Sequence, residues 1–281
     1  MSDSESPTSN ADPIAFVGGG NMARSLLGAL LRGGTVPGAV RVAEPHESAA
    51  RQLAADFGVQ VFADGREAVA GADTIVLCVK PQIMRSVCES IAPVLAGRRP
   101  LILSVAAGLL VEQIDHWLGG GFPIVRCMPN TPSLIGAGAT GLFANERVDP
   151  AQRTRAESVF ARSGLTAWIE REALMDTVTG VSGSGPAYFL LVIEALEDAG
   201  VDQGLPRDTA RALAIQTCLG AARLAAEDGE APARLRERVT SPGGTTQAAL
   251  DALAEGGLRE LVARAVAAAT ARGRELSREL A

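Results

Sequence analysis

The sequence predicts an α/β protein, with an N-terminal Rossmann-type doubly wound sheet followed by an all-α C-terminal domain. As far as about Glu170, short apolar runs alternate with amphipathic helical stretches, which is typical of parallel strands joined by helical crossovers. Beyond that point only helical patterns remain. The chain has 281 residues, of which 47% are apolar, so it is long enough for two domains with a sizeable core.

Eight apolar runs are predicted as strands, in the order IAFV, VRVA, VQVF, TIVLCV, LILSV, IVRCM, TGLFA and TAWIE. The later stretch PAYFLLVIEALEDAG is apolar on nearly every side of its first two turns, which indicates a helix buried by its own domain or by a second subunit. Near the end of the chain, GGLRELVARAVAAATARG carries apolar residues at helical spacing. We place the sheet domain at 13–171 and the helical domain at 172–281.

Composition excludes several classes of function. The start, MSDSESPTSNADP, is acidic and serine-rich without a signal region, so we expect a disordered tail over 1–12 and a cytoplasmic protein. No apolar run reaches the roughly 18 to 20 residues of a membrane span. A net charge of −6 and 4% aromatic residues argue against a nucleic-acid surface. The four scattered cysteines are predicted to be reduced core residues, not a metal site or disulfides.

A glycine-rich turn follows the first predicted strand. In VGGGNMARSLLGALL, Gly18, Gly20 and Ala23 fill a G-x-G-x-x-A pattern that opens a helix, where backbone N–H groups can bind a pyrophosphate. Tight turns also use glycine for other reasons, so the context carries the inference. Glu44 ends the second strand about 20 residues later, where a carboxylate can accept the ribose hydroxyls of a nucleotide. The alternative is a solvated loop acid.

Lys80 is the only lysine of the chain, since the other 25 of the 26 basic residues are arginine. The residue before a proline favours extended geometry, so we expect Lys80 to continue its strand and Pro81 to open the next helix. This puts the ammonium at the carboxyl end of the fourth strand, where ligands bind in open α/β sheets. We predict a role at the cofactor.

Two glycine- and serine-rich stretches lie in the helical half, TGVSGSGPAY over Thr179–Tyr188 and VTSPGGTT over Val239–Thr246. Each leads into a helix and offers hydroxyls and N–H groups that suit a small carboxylate. The alternative is plain helix capping, for which the same residue types are used.

The motifs FVGGGNMA, CVKPQ, SVAAG, RCMPNTP, VTGVSGSGPAYF and VTSPGGTT occur in the order seen in pyrroline-5-carboxylate reductases, and the resemblance runs from Ile14 to the C-terminus. It implies hydride transfer from NADPH or NADH to the C=N bond of 1-pyrroline-5-carboxylate, giving L-proline. It also implies an obligate dimer with interlocked helical domains, in which each site lies between one subunit's nucleotide domain and its partner's helices. The family's rings of five dimers suggest a pentamer of dimers.

The resemblance assigns roles residue by residue. The residues matched to binding of the cofactor phosphates are Gly18, Gly20, Asn21, Met22 and Ala23. Those matched to the nicotinamide and its ribose are Val79, Lys80, Pro81, Ala106 and Ala107. The residues matched to binding of the substrate carboxylate are Ser241, Thr245 and Thr246. Thr179 matches a hydroxyl near the ring nitrogen, the one catalytic residue assigned, and Glu172 an acidic position at the pocket. Gly65 departs from the family, in which asparagine is common near the adenine end.

The predicted chemistry needs little catalytic apparatus. A cyclic imine is reduced most easily as its iminium, which arrives already protonated from water, so the site needs geometry and a hydrogen bond more than a strong acid. Neither His46, expected in a loop near the cofactor, nor His116, expected on a helix surface, is required. Glu44 would repel a 2′-phosphate and favours NADH, whereas the family more often prefers NADPH.

Three alternatives remain in view. A β-hydroxyacid dehydrogenase has a G-x-x-G-x-G-x-x-x-K motif, but Phe189 stands at the lysine position here. A serine hydrolase would need G-x-S-x-G, and Ser184 replaces its final glycine. A non-catalytic nucleotide sensor would keep the fold without turnover, and an assay of turnover separates it from an imine or hydroxyacid reductase.

Overall fold

The computed structural model describes residues 13–279, so the tail predicted over 1–12 lies outside the described residues. All eight predicted strands are present, and each end lies within about two residues of its expected position. The strands are β1 (Ile14–Val17), β2 (Val40–Ala43), β3 (Gln60–Phe62), β4 (Thr74–Leu77), β5 (Leu101–Ser104), β6 (Ile124–Met128), β7 (Gly138–Ala144) and β8 (Gly164–Trp168).

The strands form one sheet in the order β3-β2-β1-β4-β5-β6-β7-β8. Strands β1 to β6 are parallel, as the alternating pattern predicts. Strand β7 runs antiparallel to β6, which parallel crossovers alone did not predict. Residues 129–137, which join these two strands, are too few for a parallel crossover of about a dozen residues or more. Strand β8 is again parallel to β7.

Helices cover both faces of this sheet, and the side-chain alternation of each strand divides its residues between two apolar cores. In β1, Phe16 belongs to one core with Leu26 and Phe160, whereas Ala15 and Val17 belong to the other. The helices are α1 (Asn21–Arg32), α2 (Glu47–Phe57), α3 (Gly65–Val69), α4 (Pro81–Ile91), α5 (Val111–Trp117), α6 (Pro150–Phe160) and α7 (Met175–Val178).

Contacts divide the chain into two compact units. The first unit consists of two segments, one that ends at Gly183 and one that begins at Ala269. The second unit is Ser184–Ala268. The second unit contains helices and turns only, so the predicted α/β-then-all-α fold class is confirmed. Its helices are α8 (Gly185–Asp202), α9 (Arg207–Asp228), α10 (Pro232–Arg238), α11 (Thr245–Glu255) and the first part of α12 (Leu258–Glu279).

Helix α8 exposes apolar side chains that a single chain does not cover. Phe189, Leu190 and Leu191 are each about two-thirds exposed, at 64%, 65% and 65%. The sequence predicted a helix buried by its own domain or by a second subunit, and its own domain leaves these side chains exposed. Neighbouring exposed apolar side chains of this kind mark an interaction site, which favours burial by a second subunit. Within residues 13–279, no helix is long and apolar enough to cross a membrane.

An ion cluster joins α8 to α9. The Glu197 carboxylate is mostly buried and accepts two hydrogen bonds from Arg211, each of 2.9 Å. Arg207 donates a third hydrogen bond to it, also at 2.9 Å. These hydrogen bonds lower the pKa of Glu197 below its ordinary value, with the bond from Arg211 as the largest cause.

Candidate functional site

The turn after β1 brings backbone into close contact with the loop after β4. Gly18 has φ of +100°, and a Cβ placed there would lie 2.8 Å from the carbonyl oxygen of Cys78. A side chain at this position would therefore clash and strain the backbone. Gly20 follows as the N-cap of α1, with open space around its Cα.

Helix α1 presents free donors at its first turn. The first helical bond that reaches back to the N-cap runs from the N–H of Arg24 to the carbonyl of Gly20, and no backbone acceptor within the described chain is bonded to the N–H groups of Asn21, Met22 and Ala23. The first turn also contains no acidic residue. Free N–H groups and the helix dipole together favour an anion here, as predicted from the glycine motif.

Glu44 follows β2 and contacts the glycine turn. Its carboxylate accepts the N–H of Gly19 at 3.2 Å and the N–H of His46 at 2.9 Å. The side chain is only 13% exposed, so Glu44 is not the freely solvated loop acid of the alternative reading. The structure therefore brings the carboxylate to the loop that would hold the cofactor phosphates.

Lys80 lies beyond its strand, which corrects the expectation that it continues β4. The strand ends at Leu77, and Lys80 is the extended N-cap of α4 with φ of −62° and ψ of 145°. Pro81 is the first residue of α4, as expected. The Lys80 side chain is exposed, and no carboxylate of residues 13–279 lies within ion-pair distance of it. The ammonium is therefore available to a ligand at this edge.

The loop after β5 lies at the same edge of the sheet, because β4 and β5 are parallel neighbours. Ala106 is buried, and its N–H lies 3.5 Å from the hydroxyl of Ser104. Ala107 is partly exposed. Val79, Lys80, Ala106 and Ala107 thus follow adjacent strands at the carboxyl edge, where the resemblance assigns the nicotinamide and its ribose.

Thr179 lies in a π-helical turn, Thr179–Gly183, between α7 and α8. The sequence predicted a loop here, and the difference matters because π-helical turns are frequent at functional sites. The Thr179 hydroxyl donates to the carbonyl of Met175 at 3.0 Å, and the Ser182 hydroxyl donates to that of Val178 at 3.0 Å. Neither hydroxyl caps α8, whose N-cap Ser184 also makes no side-chain capping bond.

Glu172 has protein partners in this structure. Its carboxylate accepts the N–H of Val111 at 2.8 Å, at the start of α5, and lies 3.6 Å from the guanidinium of Arg126. It also lines an open cavity of about 810 Å³ whose other acidic residues are Glu112, Asp115, Glu146 and Glu170. So acidic a lining does not suit a negatively charged substrate.

Three residues that sequence reasoning did not assign lie close to these sites. Arg126 is only 3% exposed, and its guanidinium donates to the carboxylate of Asp176 at 3.0 Å. Asn130 is also buried and donates to the carbonyl of Ser182 at 3.0 Å. The sequence did contain one signal for the ion pair of Arg126, an arginine inside the apolar run IVRCM. A charge in a central strand requires a buried partner.

In the second unit, Ser241 lies in the turn before α11, and Thr245 and Thr246 are the first two residues of that helix. The N-cap is Gly244, with no side-chain capping bond, so no hydroxyl of this stretch caps α11. The first helical bond joins the N–H of Ala248 to the carbonyl of Gly244. The N–H groups before Ala248 are therefore open to a ligand. Ser241 and Thr245 are exposed, and Thr246 is partly exposed.

The sequence also predicts positions for the two histidines and the four cysteines. His46 is exposed in the loop before α2, and His116 is exposed on α5, as predicted. All four cysteines are free thiols. Cys88 and Cys127 are buried, and burial raises the pKa of the Cys88 thiol to about 12, so it stays protonated at neutral pH. Residues 13–279 contain no group of three or more His, Cys, Asp or Glu arranged to hold a metal.

Comparison with known proteins gives matches to both halves of the chain. A family described as pyrroline-5-carboxylate reductase dimerisation matches residues 172–276, and one described as NADP oxidoreductase, coenzyme F420-dependent, matches 13–108. The pyrroline-5-carboxylate reductase of Pseudomonas aeruginosa is 46% identical over 267 residues, which cover 95% of this chain and 97% of that protein.

Solved structures agree with these matches. A pyrroline-5-carboxylate reductase from Coxiella burnetii superposes with a TM-score of 0.92 at 43% identity, covering 95% of this chain and 99% of that one. The Plasmodium falciparum pyrroline carboxylate reductase, solved with NADP bound, superposes with a TM-score of 0.83 at 29% identity, covering 95% and 98%.

Proposed function

The chain belongs to the pyrroline-5-carboxylate reductase family, and from that premise we propose how its own residues carry the reaction. It is an NAD(P)H-dependent oxidoreductase that reduces the C=N bond of 1-pyrroline-5-carboxylate to give L-proline, the last step of proline biosynthesis. The observation that carries the assignment of a substrate site is the start of α11, where hydroxyls and free N–H groups surround an uncapped helix N-terminus.

NADPH is the hydride donor that we propose, with NADH as a second donor. The glycine turn fits a pyrophosphate, because a Cβ at Gly18 would fill the space against Cys78 and the first N–H groups of α1 are free. When bound, the dinucleotide supplies a hydride from its nicotinamide ring. Glu44, already bonded to the turn, would lie near the adenine ribose and disfavour a 2′-phosphate.

The nicotinamide end of the cofactor would contact Val79, Lys80 and Pro81, which follow β4, and Ala106 and Ala107, which follow β5. The small side chains after β5 leave room for a flat ring, and the exposed ammonium of Lys80 can pair with a phosphate or donate to ribose hydroxyls. Lysine is a compact point charge on a thin stem, and this difference from arginine is consistent with its retention at this one position.

Ser241, Thr245 and Thr246 would hold the substrate carboxylate. Two features support this: the α11 N-terminus has free donors and a favourable dipole, and its N-cap is a glycine, so no side chain of the protein occupies the capping position. A substrate carboxylate would then take the place of a side-chain cap. Hydrogen bonds to a charged group are the stronger ones, which gives both affinity and orientation.

Thr179 would act on the ring nitrogen as an acceptor. Its hydroxyl proton is directed to the carbonyl of Met175, which leaves oxygen lone pairs for a hydrogen bond from the N–H of the protonated imine. This arrangement orients the iminium without transferring a proton to it. Glu172 remains a predicted acidic residue at the edge of the pocket, although its carboxylate already binds Val111 and Arg126.

The chain self-associates, and we propose a homodimer formed through the helical domain, with a homodecamer of five dimers as the larger assembly. The exposed apolar side chains of α8 supply a surface suited to the dimer. A cytoplasmic location is also proposed. It is supported by four free thiols, since exported proteins more often oxidise such residues.

Growth without proline tests the function in a cell. Expression of the chain in a bacterial strain that lacks its own reductase should restore growth on medium without proline. A Thr246→Ala variant, expressed to the same level, should restore growth less well. Absence of growth with soluble full-length protein present would contradict the proposed function.

A further inference from the structure

The π-helical turn Thr179–Gly183 carries the proposed catalytic hydroxyl, and the hydrogen bonds of its two hydroxyls do not fix its position relative to the sheet. The Thr179 and Ser182 hydroxyls both bond to carbonyls of the same segment, Met175 and Val178. Contacts from the sheet must therefore fix where the turn lies. These contacts come from the end of β6 and the start of β7.

Asn130, which follows β6, connects the turn to the sheet with both ends of its amide. The side-chain nitrogen donates to the carbonyl of Ser182 at 3.0 Å, and the side-chain oxygen accepts the N–H of Ala139, in β7, at 2.9 Å. The side chain is buried, so both bonds form away from water. Only a side chain with one donor and one acceptor at this separation satisfies both backbone groups.

Glycines let the turn approach the sheet closely on either side of this bridge. A Cβ on Gly183 would lie 2.6 Å from the methyl of Met128, and a Cβ on Gly141 would lie 2.6 Å from a methyl of Val178. At each of these points the backbone of a glycine packs directly against a side chain of the other element, Met128 of β6 or Val178 of α7, with no room for a second side chain.

A second anchor lies one helical turn earlier. The guanidinium of Arg126, in β6, donates to the carboxylate of Asp176 at 3.0 Å and is 3% exposed. Asp176 belongs to α7, which continues into the π-helical turn. Two polar side chains on the β6 end thus hold the segment at Asp176 and at Ser182, on both sides of Thr179.

We propose that Asn130 is a positioning residue for the reduction, which sets the height of Thr179 above the sheet by binding the carbonyl of Ser182. This inference rests on the proposed role of Thr179 in the proposed function. Asn130 itself would contact neither substrate nor cofactor. It acts by keeping the hydroxyl where the protonated imine can donate to it, and small displacements of such groups reduce rates strongly.

Asn130→Asp removes the hydrogen bond to the carbonyl of Ser182 and retains the hydrogen bond from the N–H of Ala139. The new carboxylate keeps the oxygen that accepts the N–H of Ala139 but puts an oxygen against the carbonyl of Ser182. The chain offers a matched control in Asn145, whose amide donates to the carbonyl of Phe122 at 2.9 Å and accepts the N–H of Ile124 at 3.1 Å. Asn145 bridges the other end of the β6–β7 pair, so Asn145→Asp makes the same chemical change without touching the turn.

Steady-state kinetics below the melting temperatures give the first readout. Asn130→Asp should lower kcat by roughly tenfold or more and leave the KM for NADPH within about twofold of the unsubstituted protein. Asn145→Asp should lower the melting temperature comparably and leave kcat within about twofold. Equal kcat losses in the two variants would overturn the inference, since they would reflect general destabilisation.

Amide hydrogen exchange gives a readout that does not depend on activity. Asn130→Asp should speed exchange selectively in the segment from Met175 to Ala187, and Asn145→Asp should not. Unchanged exchange in that segment overturns the positioning role, whether or not the enzyme is active. If the unsubstituted protein fails to reduce the imine, the proposed function is contradicted. The anchoring of the turn by Asn130 is a separate question, which the hydrogen-exchange result decides.

Discussion

Glu44 is the residue whose position most directly affects the choice of cofactor. It is held against the glycine turn by two backbone N–H groups and is largely shielded from solvent. A 2′-phosphate on the adenine ribose would bring a second negative charge close to it. Two like charges near a protein surface repel by about 1 kcal/mol or more.

Glu44→Ser should therefore increase kcat/KM for NADPH relative to NADH by about fivefold or more, a change equivalent to about 1 kcal/mol. The measurement is the ratio of the two kcat/KM values in the variant and in the unsubstituted protein. Glu47→Ser, three residues later at the start of α2 and exposed, is the matched control and should leave the ratio unchanged. An unchanged ratio in Glu44→Ser would remove Glu44 from the cofactor site.

Thr246 separates substrate binding from helix capping. It is the second residue of α11 and not its N-cap, so its hydroxyl is not required for capping. Thr246→Ala should raise the KM for 1-pyrroline-5-carboxylate or lower kcat/KM by roughly tenfold, because a hydrogen bond to a charged group contributes about 1.5 to 3 kcal/mol. The KM for NADPH should not change.

Thr240→Ala is the control for this substitution. The Thr240 hydroxyl lies in the same segment but already donates to the carbonyl of Arg236, so its loss should leave the kinetics of the substrate unaltered. If Thr246→Ala melts earlier and turns over normally, the α11 loop has only a structural role.

At the scale of single residues, the sequence predicted the motif positions better than their partners. Gly18, Gly20 and Pro81 need particular backbone geometry, which shows in a local pattern. The roles of Arg126 and Asn130 depend on groups some 50 residues away, at Asp176 and Ser182. No local pattern encodes such contacts, so only the folded chain shows them.

At the scale of elements, the eight strands followed from apolar runs, because a strand buried on both faces reads as a continuous apolar segment. The direction of β7 did not follow, since direction depends on the length of the connection 129–137 and not on the strand itself. The π-helical turn over Thr179–Gly183 was also missed. Glycine and serine there indicate a break in an α-helix, but not whether the chain forms a loop or a widened turn.

The pairing of α8 with α9 gives a pH-dependent prediction. The arginines of α9 lower the pKa of Glu197 in the folded state, so its contribution to stability is present above the unfolded pKa and is lost as pH falls through the folded pKa. Glu197→Gln should thus lower the melting temperature near pH 7. The difference from the unsubstituted protein should shrink below the ordinary glutamate value of 4.5.

Glu237→Gln serves as the comparison. Glu237 pairs with Arg234 at 2.8 Å, but both side chains are more than half exposed, and exposed pairs contribute little. A melting temperature equally altered in both variants, or a Glu197→Gln effect that persists unchanged at acid pH, would contradict the ion cluster as a stabilising contact between the helices.

At the scale of the whole molecule, the apolar surface of α8 predicts self-association. Sedimentation at micromolar concentration should show a dimer or a larger assembly, and Leu190→Asp should shift it toward the monomer, because a buried charge without a partner is unfavourable. Val36→Asp, which alters an exposed apolar residue of the first unit, is the control. A stable, fully active monomer would contradict a dimer formed through this helix.

As a reductase, this chain turns over 1-pyrroline-5-carboxylate and does not merely bind a nucleotide. The most direct test is a steady-state assay with purified protein, NADPH and 1-pyrroline-5-carboxylate, with L-proline measured as the product. NADPH should be consumed only when the imine is present, with one L-proline formed for each NADPH oxidised. Tight binding of NADPH without formation of L-proline would contradict this expectation and would indicate a nucleotide sensor.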